Sequence, residues 1–583
     1  MDQSIERATQ LLESGQYGGA ERMLRILLRE DETQVQCWHL LGVACHLLGR
    51  NDEAVDSLKH ALDLDSSLPR CHFNLGVVLA ALGRDDEAAG AYVASLQLEP
   101  AGGAALQNLK NILFKRGEFS AMAGHFGRAV EKEPRNEWLL SRLGEALKGT
   151  GRIVEASDVL RRAVSVNPQS PEAWSRLLFA SQYAPGVTTA SLATLHHEWQ
   201  RRFGESSCTS IGVGRSLDAE RPLTVGFVSP DFSNHPVGIF LAPVLERLPR
   251  DEFQVVCYSN RSAHDNQTER VRMASDEWRD IVDSSDDDVA AQIARDGVDV
   301  LFDLAGHTDN NRLSVFARRA APVQITWLGY VGTTGLAAID YVFCDGHHAP
   351  PEARPDYSES MLEMPDGYVC YEPPSYAPPV GPSPALANGF VTFGSFNNVS
   401  KINSPLIKTW SRILREVATA RLLLKYKGFN DEGVENRISE EFASQGVDAD
   451  RVEMRGETHH IDHLDSYNCI DLALDTFPYS GGITTCESLW MGVPVITFPG
   501  ATFAGRHSAS HLHNAGWGEY VCRDADEFVN RAVNLASDLP ALAQRRTEIR
   551  ARMARSPLCD CDNFTAVFAA GVRAAWRRYA ASH

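Results

Sequence analysis

A lysine, two threonines and a few histidines stand just beyond short apolar runs, where a chain offers side chains to a ligand. Lys401, in SFNNVSK, can neutralise a diphosphate as a point charge or be a plain surface lysine. Thr484 and Thr485 open the stretch GGITTCESLWMG behind two glycines. Free N–H groups and hydroxyls at such a helix start suit phosphate, and a glycine turn with a threonine cap is the equal alternative. His235, in SPDFSNHP, is framed by Asn234 and Pro236 and is of a type that exchanges protons near neutral pH. His459, His460 and His463 have zinc-ligand spacing. An imidazole stacking on or bonding a nucleobase is the preferred reading there. Asp448 and Asp450 have the DxD form of metal-dependent glycosyltransferases, but their place between a helix and RVEMRG reads as an exposed turn. His196 and His197 have no ligand-type neighbour in the sequence and are expected at the surface.

The elements that must position these groups come in two series. LTVGFVS, FQVVCYS, VDVLFDLAG, PVQITWLGY and DYVFCD are strand-length apolar runs separated by helix-length stretches, the pattern of a buried parallel sheet. A proline-rich stretch beginning near Pro350 and including EPPSYAPPVGPSP reads as an extended crossing. FVTFGSFNN, RLLLKYKGF, RVEMRG, DLALDTFPYS and GVPVITFPG then form a second series. Two doubly wound lobes bind ligands at the C-terminal ends of their strands. Neither GxxxxGK[ST] nor GxGxxG follows a strand, which argues against a nucleoside triphosphatase and against a dinucleotide fold.

Upstream the chain repeats every 34 residues. Ala20, Ala54, Ala88 and Ala156 share one register, which Met122 fills at the missing place. Gly42, Gly76 and Gly144 share a second, broken by Lys110. Leu41, Leu75, Leu109 and Leu143 form a third, and Pro100, Pro134 and Pro168 close units where a helix must stop. About five helix-pair repeats fit, with Trp38, Leu58, Tyr92, Phe126 and Leu160 expected in the core. Stacked repeats leave a groove suited to peptides.

Composition bounds the rest. The 583 residues carry 76 acidic and 56 basic side chains, a net charge of −20 that disfavours nucleic acid and anionic lipid. Twelve cysteines without a CxxC pair point away from a disulfide framework and a zinc ribbon, toward a reducing compartment. With no signal peptide or membrane-length apolar run, a soluble cytoplasmic protein is expected.

The repeats followed by SPDFSNHP, LAGHTDNNRL, RAAPVQITWLGYVGTTG, IDYVFCD, FGSFNNVSKI, LDTFPYSGGITTCESLWMGVPVITFPG and the SPLCD tail resemble the O-GlcNAc transferase and Spindly family, family 41 of the glycosyltransferases. The resemblance covers nearly the whole chain. It implies an α/α tetratricopeptide superhelix followed by an α/β GT-B fold, two Rossmann-like lobes facing a cleft. The divisions are repeats over 1–180, a helical linker over 181–220, a first lobe over 221–350, a proline-rich linker over 351–388, a nucleotide-sugar lobe over 389–555 and a final helix over 556–583. It further implies inverting, metal-independent transfer, without a cofactor, from GDP-fucose or UDP-GlcNAc to serine or threonine of protein acceptors gripped by the repeats. By the same resemblance Lys401 and Asn398 contact the diphosphate, Thr484 and Thr485 complete its cradle, and His463 contacts the base. His235 lies beside the reacting centre, and Gly332, Thr333 and Thr334 line the sugar and phosphate side. GHTDNN, FGSFNN, LDTFPYSGG and TTCESL resemble the Spindly branch, and Ser488 stands where O-GlcNAc transferases carry a ribose-binding aspartate. The competing readings are a catalytically inert repeat scaffold and a GT-B sugar-nucleotide epimerase.

Overall fold

The computed structural model describes residues 2–204 and 216–583. Most of the polar stretch SSCTSIGVGRSLDAERP, which ends the expected helical linker, lies outside the described residues. The chain divides into two compact units, Met1–Leu147 and Lys148–His583.

The first unit is built of antiparallel helix pairs, beginning Asp2–Glu13 with Tyr17–Glu30 and Val35–Leu47 with Asn51–Leu64. The glycine register has a steric cause. A Cβ on Gly42 would stand 2.5 Å from Leu58 Cγ, and one on Gly76 would stand 2.6 Å from the Tyr92 ring. Each small residue on a first helix therefore admits the large residue sixteen positions later on the second. Lys110 escapes this rule by turning its ammonium to Glu145, 3.3 Å away. Leu58, Tyr92 and Phe126 are buried, as is Leu160 in the second unit. Trp38 departs from the expectation. It is half-buried, with Nε1 donating to Glu32 O at 2.8 Å and its ring 4.4 Å from that of His60. A register that the sequence reading passed over is the clearest of all. Gly49, Gly83 and Gly117 end successive helices at φ between +73° and +78°, a conformation that disfavours any side chain.

The second unit holds two all-parallel sheets. The first runs β3-β2-β1-β4-β5-β6-β7, from β1 (Leu223–Ser229), β2 (Phe253–Ser259), β3 (Glu277–Asp280), β4 (Val300–Asp303), β5 (Val323–Thr326), β6 (Tyr341–Asp345) and β7 (Ser360–Met364). The second runs β10-β9-β8-β11-β12, from β8 (Thr392–Ser395), β9 (Arg421–Lys425), β10 (Val452–Arg455), β11 (Leu472–Leu474) and β12 (Val495–Ile496). All five apolar runs of each series supply a strand. The two edge strands of the first sheet are partly exposed, β3 (EWRD) largely charged and β7 (SMLEM) alternating apolar with polar residues, so they lack the continuous apolar run that buried strands carry. Because β7 falls within 351–388, the first lobe extends beyond 350 and the crossing proper begins after Met364. The last helix, Cys561–Ser582, returns to the first lobe, where Phe568 stacks on Phe302 at 5.4 Å. Arg546, 2% exposed, binds the carbonyls of Gly381, Tyr467 and Ile470 and so pins the crossing segment to the second lobe.

The lobes meet through buried polar contacts. His348, three residues past β6, donates through Nδ1 to Asp345 at 2.9 Å and pairs through Nε2 with His507 Nδ1 at 2.9 Å, and the other Asp345 oxygen accepts from Ser510 at 2.6 Å. Burial holds His507 and His511 below the usual imidazole range, His511 at about 3.

Candidate active site

The second lobe gathers most of the expected groups at the C-terminal ends of β8 and β11. After β8 the chain turns into a short 3-10 helix, Val399–Lys401, capped by Asn398, whose Oδ1 accepts from Ser400 N at 2.9 Å. That cap occupies the carbonyl oxygen of the expected diphosphate contact. Its neighbour Asn397 takes the central place instead. Asn397 Oδ1 accepts from Lys401 Nζ at 3.1 Å and from Thr484 Oγ1 at 3.2 Å, joining the two loops. Lys401 also donates to Ser480 O at 2.7 Å. Burial lowers the lysine to about 8, although nearby Asp475 works the other way. Asp475 is itself buried, accepting from Gly481 N at 2.7 Å and Thr497 Oγ1 at 2.6 Å.

The helix Ile483–Trp490 starts beside this lysine with Gly482 at its N-cap, which offers no side chain to its first N–H groups, and Thr485 N donates to Gly482 O at 3.0 Å. A Cβ on Gly481 would collide with Thr485 Oγ1, which requires glycine there. The two threonines differ. Thr484 is half-buried at the cradle, whereas Thr485 is 3% exposed and its hydroxyl pairs with Ser508 Oγ at 2.7 Å. Thr485 thus supports the cradle from behind.

His463 lies next to it, with its ring 5.5 Å from Phe396 and 5.7 Å from Tyr467, which donates to Thr484 O at 3.2 Å. Glu487, 4% exposed, faces His460 at 2.8 Å and His463 at 3.6 Å. Burial would raise its carboxyl, but the bonds to the two imidazoles outweigh that and hold it low. Tyr376, from the crossing segment, meets His460 Nδ1 at 2.8 Å. Ser488 points inward, 1% exposed and donating to Val493 O at 3.1 Å. Asp448 and Asp450 are exposed at the N-terminal end of β10, away from this site. Among the described residues no three His, Cys, Asp or Glu side chains are grouped to hold a metal ion.

The first lobe contributes less directly. His235 caps the helix Pro236–Arg247, Nδ1 accepting from Val237 N at 3.4 Å, and its side chain is 46% exposed beside Asp231 at 4.0 Å. Its ring is free for a ligand at the end of β1. Thr333 and Thr334 depart from the expected lining role. Both hydroxyls donate to the buried Glu359, at 2.6 Å and 2.5 Å, and Thr334 N adds a third bond at 2.7 Å. Gly332 precedes them at φ +155°. The expected surface pair also divides: His197 is exposed, whereas His196 is 1% exposed and bonds Tyr330 OH at 3.0 Å. Sequence reasoning missed Asn397, Asp475 and Glu487. Asn397 and Asp475 follow strands and Glu487 lies within the helix Ile483–Trp490, all in stretches already suspected, but adjacency alone does not say which side chain turns inward.

Two α/β lobes thus carry, at the strand ends of the second, a lysine, a threonine and a helix start within one loop cluster. Residues 213–372 and 383–568 match the model of glycosyl transferase family 41, and residues 42–83 and 113–178 match tetratricopeptide repeat models. The chain belongs to glycosyltransferase family 41. It is 40% identical over 416 residues to the probable UDP-N-acetylglucosamine peptide N-acetylglucosaminyltransferase SPINDLY of Solanum lycopersicum, covering 70% of this chain and 45% of that protein. The SEC protein of Arabidopsis thaliana, described in the same terms, is 30% identical over 351 residues, 58% of this chain and 35% of that protein. The chain spans less than half the length of these curated relatives. A solved structure of a mutant O-GlcNAc transferase from Thermobaculum terrenum superposes with a TM-score of 0.82 at 34% identity, covering 89% of this chain and 99% of that one. Among the described residues no helix is long and apolar enough to cross a membrane.

Proposed function

We propose that this chain is a protein O-glycosyltransferase that moves a monosaccharide from a nucleoside-diphosphate sugar to serine or threonine hydroxyls, with inversion and without a metal. The observation that carries this reading is the Lys401 cradle, in which a half-buried ammonium, Thr484 and a helix start without a side-chain cap converge. In the reaction the acceptor oxygen attacks the anomeric carbon while the bond to the diphosphate oxygen breaks. Negative charge then grows on the leaving diphosphate. Lys401 and the first N–H groups of Ile483–Trp490 stabilise that charge, the task a divalent cation performs in other transferases. The hydroxyl proton leaves toward the first lobe, where His235 offers an exposed imidazole. His463, its ring backed by the buried Phe396 and Tyr467, supplies the imidazole for the base, and the repeats supply the groove for the acceptor.

For the donor, the resemblance of GHTDNN, FGSFNN, LDTFPYSGG and TTCESL to the Spindly branch favours GDP-fucose, and the inward Ser488 leaves the ribose contact expected for UDP-GlcNAc without a carboxylate. UDP-GlcNAc is the second reading, because the relatives' names carry that donor. Thermal stabilisation by a panel of GDP and UDP sugars separates them, since a ligand bound only by the native state raises the melting temperature. A GDP-selective rise increased by fucose, followed by fucose transfer to protein, is expected. A UDP-selective rise increased by GlcNAc transfers the assignment to the second donor. Binding without transfer to any protein supports the inert scaffold, and turnover of free sugar nucleotide alone supports the epimerase.

A further inference from the structure

Lys401 does not hold its own place. Besides its bond to Ser480 O, its ammonium lies 4.6 Å from the centroid of the Tyr479 ring. Asn397 holds the lysine from its own loop, and these two further partners sit in the loop after β11, so both loops place it. Ser480 is anchored to Ala504 O by its N–H at 3.0 Å and its hydroxyl at 2.9 Å, and the Tyr479 carbonyl accepts from Thr476 at 2.7 Å. The Tyr479 ring has a different support. It stacks on Tyr183, centroids 4.6 Å apart and planes 25° from parallel.

Tyr183 belongs to neither lobe. It lies two residues beyond the helix Pro171–Ser181, in the segment that follows the repeats, and is 7% exposed. Phe179 meets it edge-on at 5.5 Å, and the Lys148 ammonium stands 4.3 Å from the Phe179 centroid. The adjacent Gln182 donates to Tyr330 OH of the first lobe at 3.0 Å. The repeat-end segment, the first lobe and the loop after β11 therefore meet at one buried junction.

We propose that Tyr183 is a positioning residue for the Lys401 cradle, its ring holding Tyr479 and the 476–480 loop where the lysine meets the donor diphosphate. Stacking restricts the Tyr479 rotamer and keeps water from the lysine's flank, where a lower dielectric strengthens its pull on phosphate. The segment after the repeats is on this view part of the donor site. The inference rests on the reading of Lys401 as the diphosphate contact, and the test separates the two.

The binding of GDP and of UDP is measured by calorimetry between pH 6.5 and 9.5 on full-length wild type, Tyr183→Phe, Tyr183→Leu and Lys401→Met. Tyr183→Leu is expected to weaken the tighter nucleotide about 3- to 10-fold, and Tyr183→Phe less than about 2-fold. The basic limb of the binding profile should also move upward in Tyr183→Leu, because water beside Lys401 relieves the burial that lowers it to about 8. Purely structural damage lowers the melting temperature without moving that limb. Unchanged affinity and limb in Tyr183→Leu, beside weakened binding in Lys401→Met, overturn the Tyr183 assignment alone, as does a loss in Tyr183→Phe equal to that in Tyr183→Leu. A wild type that binds neither nucleotide, or a Lys401→Met that binds normally, overturns the site reading and the proposal with it. Should Tyr183→Leu fail to fold, Tyr479→Leu probes the same stack from the other ring, with the same shift expected and the same constancy overturning it.

Discussion

The two lobes spend similar polar motifs in opposite ways. In the first, the paired threonines of YVGTTG give both hydroxyls to the buried Glu359, and His307 is satisfied by Ser175 at 3.0 Å and the Thr334 carbonyl at 2.7 Å. In the second, the paired threonines of GGITTCES divide, Thr485 facing Ser508 inside and Thr484 facing Asn397 and Lys401 at the cradle. A Thr-Thr pair after a strand is thus a clamp when an internal carboxylate waits for it. It is divided between core and loop when no internal carboxylate takes both hydroxyls, which is the arrangement the proposed donor site uses.

The largest effect that would break this contrast is on turnover. Lys401→Ala should reduce transfer by about 100- to 1,000-fold or more while leaving the melting temperature close to wild type, since it removes charge stabilisation from the leaving group. Normal turnover by a folded variant would remove the second lobe's claim to the chemistry. The pH profile sharpens the same point. With the free-enzyme lysine at about 8, kcat/KM should fall as pH rises through 8 and the ammonium is lost.

A matched pair of substitutions comes next. Thr334→Val should cost about 1 to 3 kcal/mol of stability by leaving Glu359 short of a donor, with little change in nucleotide affinity once folded. Thr484→Val should leave stability within about 0.5 kcal/mol and weaken nucleotide binding several-fold. Denaturant midpoints and calorimetry together decide, and the reverse outcome would exchange the roles of the two turns.

Acid should weaken the unit through its buried imidazoles. His307 is held at about 4 and His511 at about 3, both by burial, so they stay neutral in the fold while an unfolded chain protonates them near 6.5. The unfolded state therefore binds more protons below pH 6.5. The stability these groups contribute is complete above that value and is lost as pH falls, by up to about 1.4 kcal/mol per unit for each imidazole. His511→Asn should flatten the fall by one such share between pH 6 and 5. An unchanged slope would mean that His511 takes up its proton without unfolding. The smallest expected effect is at Ser488, where Ser488→Ala should alter nucleotide affinity less than about 2-fold because its hydroxyl is turned to Val493 O.

How much could be read in advance follows the same physics. Strands β1, β2, β4, β5 and β6 announce themselves as apolar runs because both faces are buried, whereas β3 and β7 do not because an edge tolerates polar residues. The sequence singles out Asn398 and not the adjacent Asn397, because only the turn geometry makes one a cap and the other the bridge. His196 looked like its exposed neighbour because a helix face cannot be assigned until its packing partner, Tyr330, is known.

The sequence by itself determined the repeat period, the two-lobed α/β architecture, the family and the loops that hold the site, since local sterics and hydrophobic spacing act along the chain. Tertiary structure alone decided which polar side chains are structural and which face a ligand. It decided too that Tyr183, nearly three hundred residues before Tyr479, supports the loop that holds Lys401. A side chain's role depends on the partner that reaches it, and partners distant in sequence are chosen by the fold.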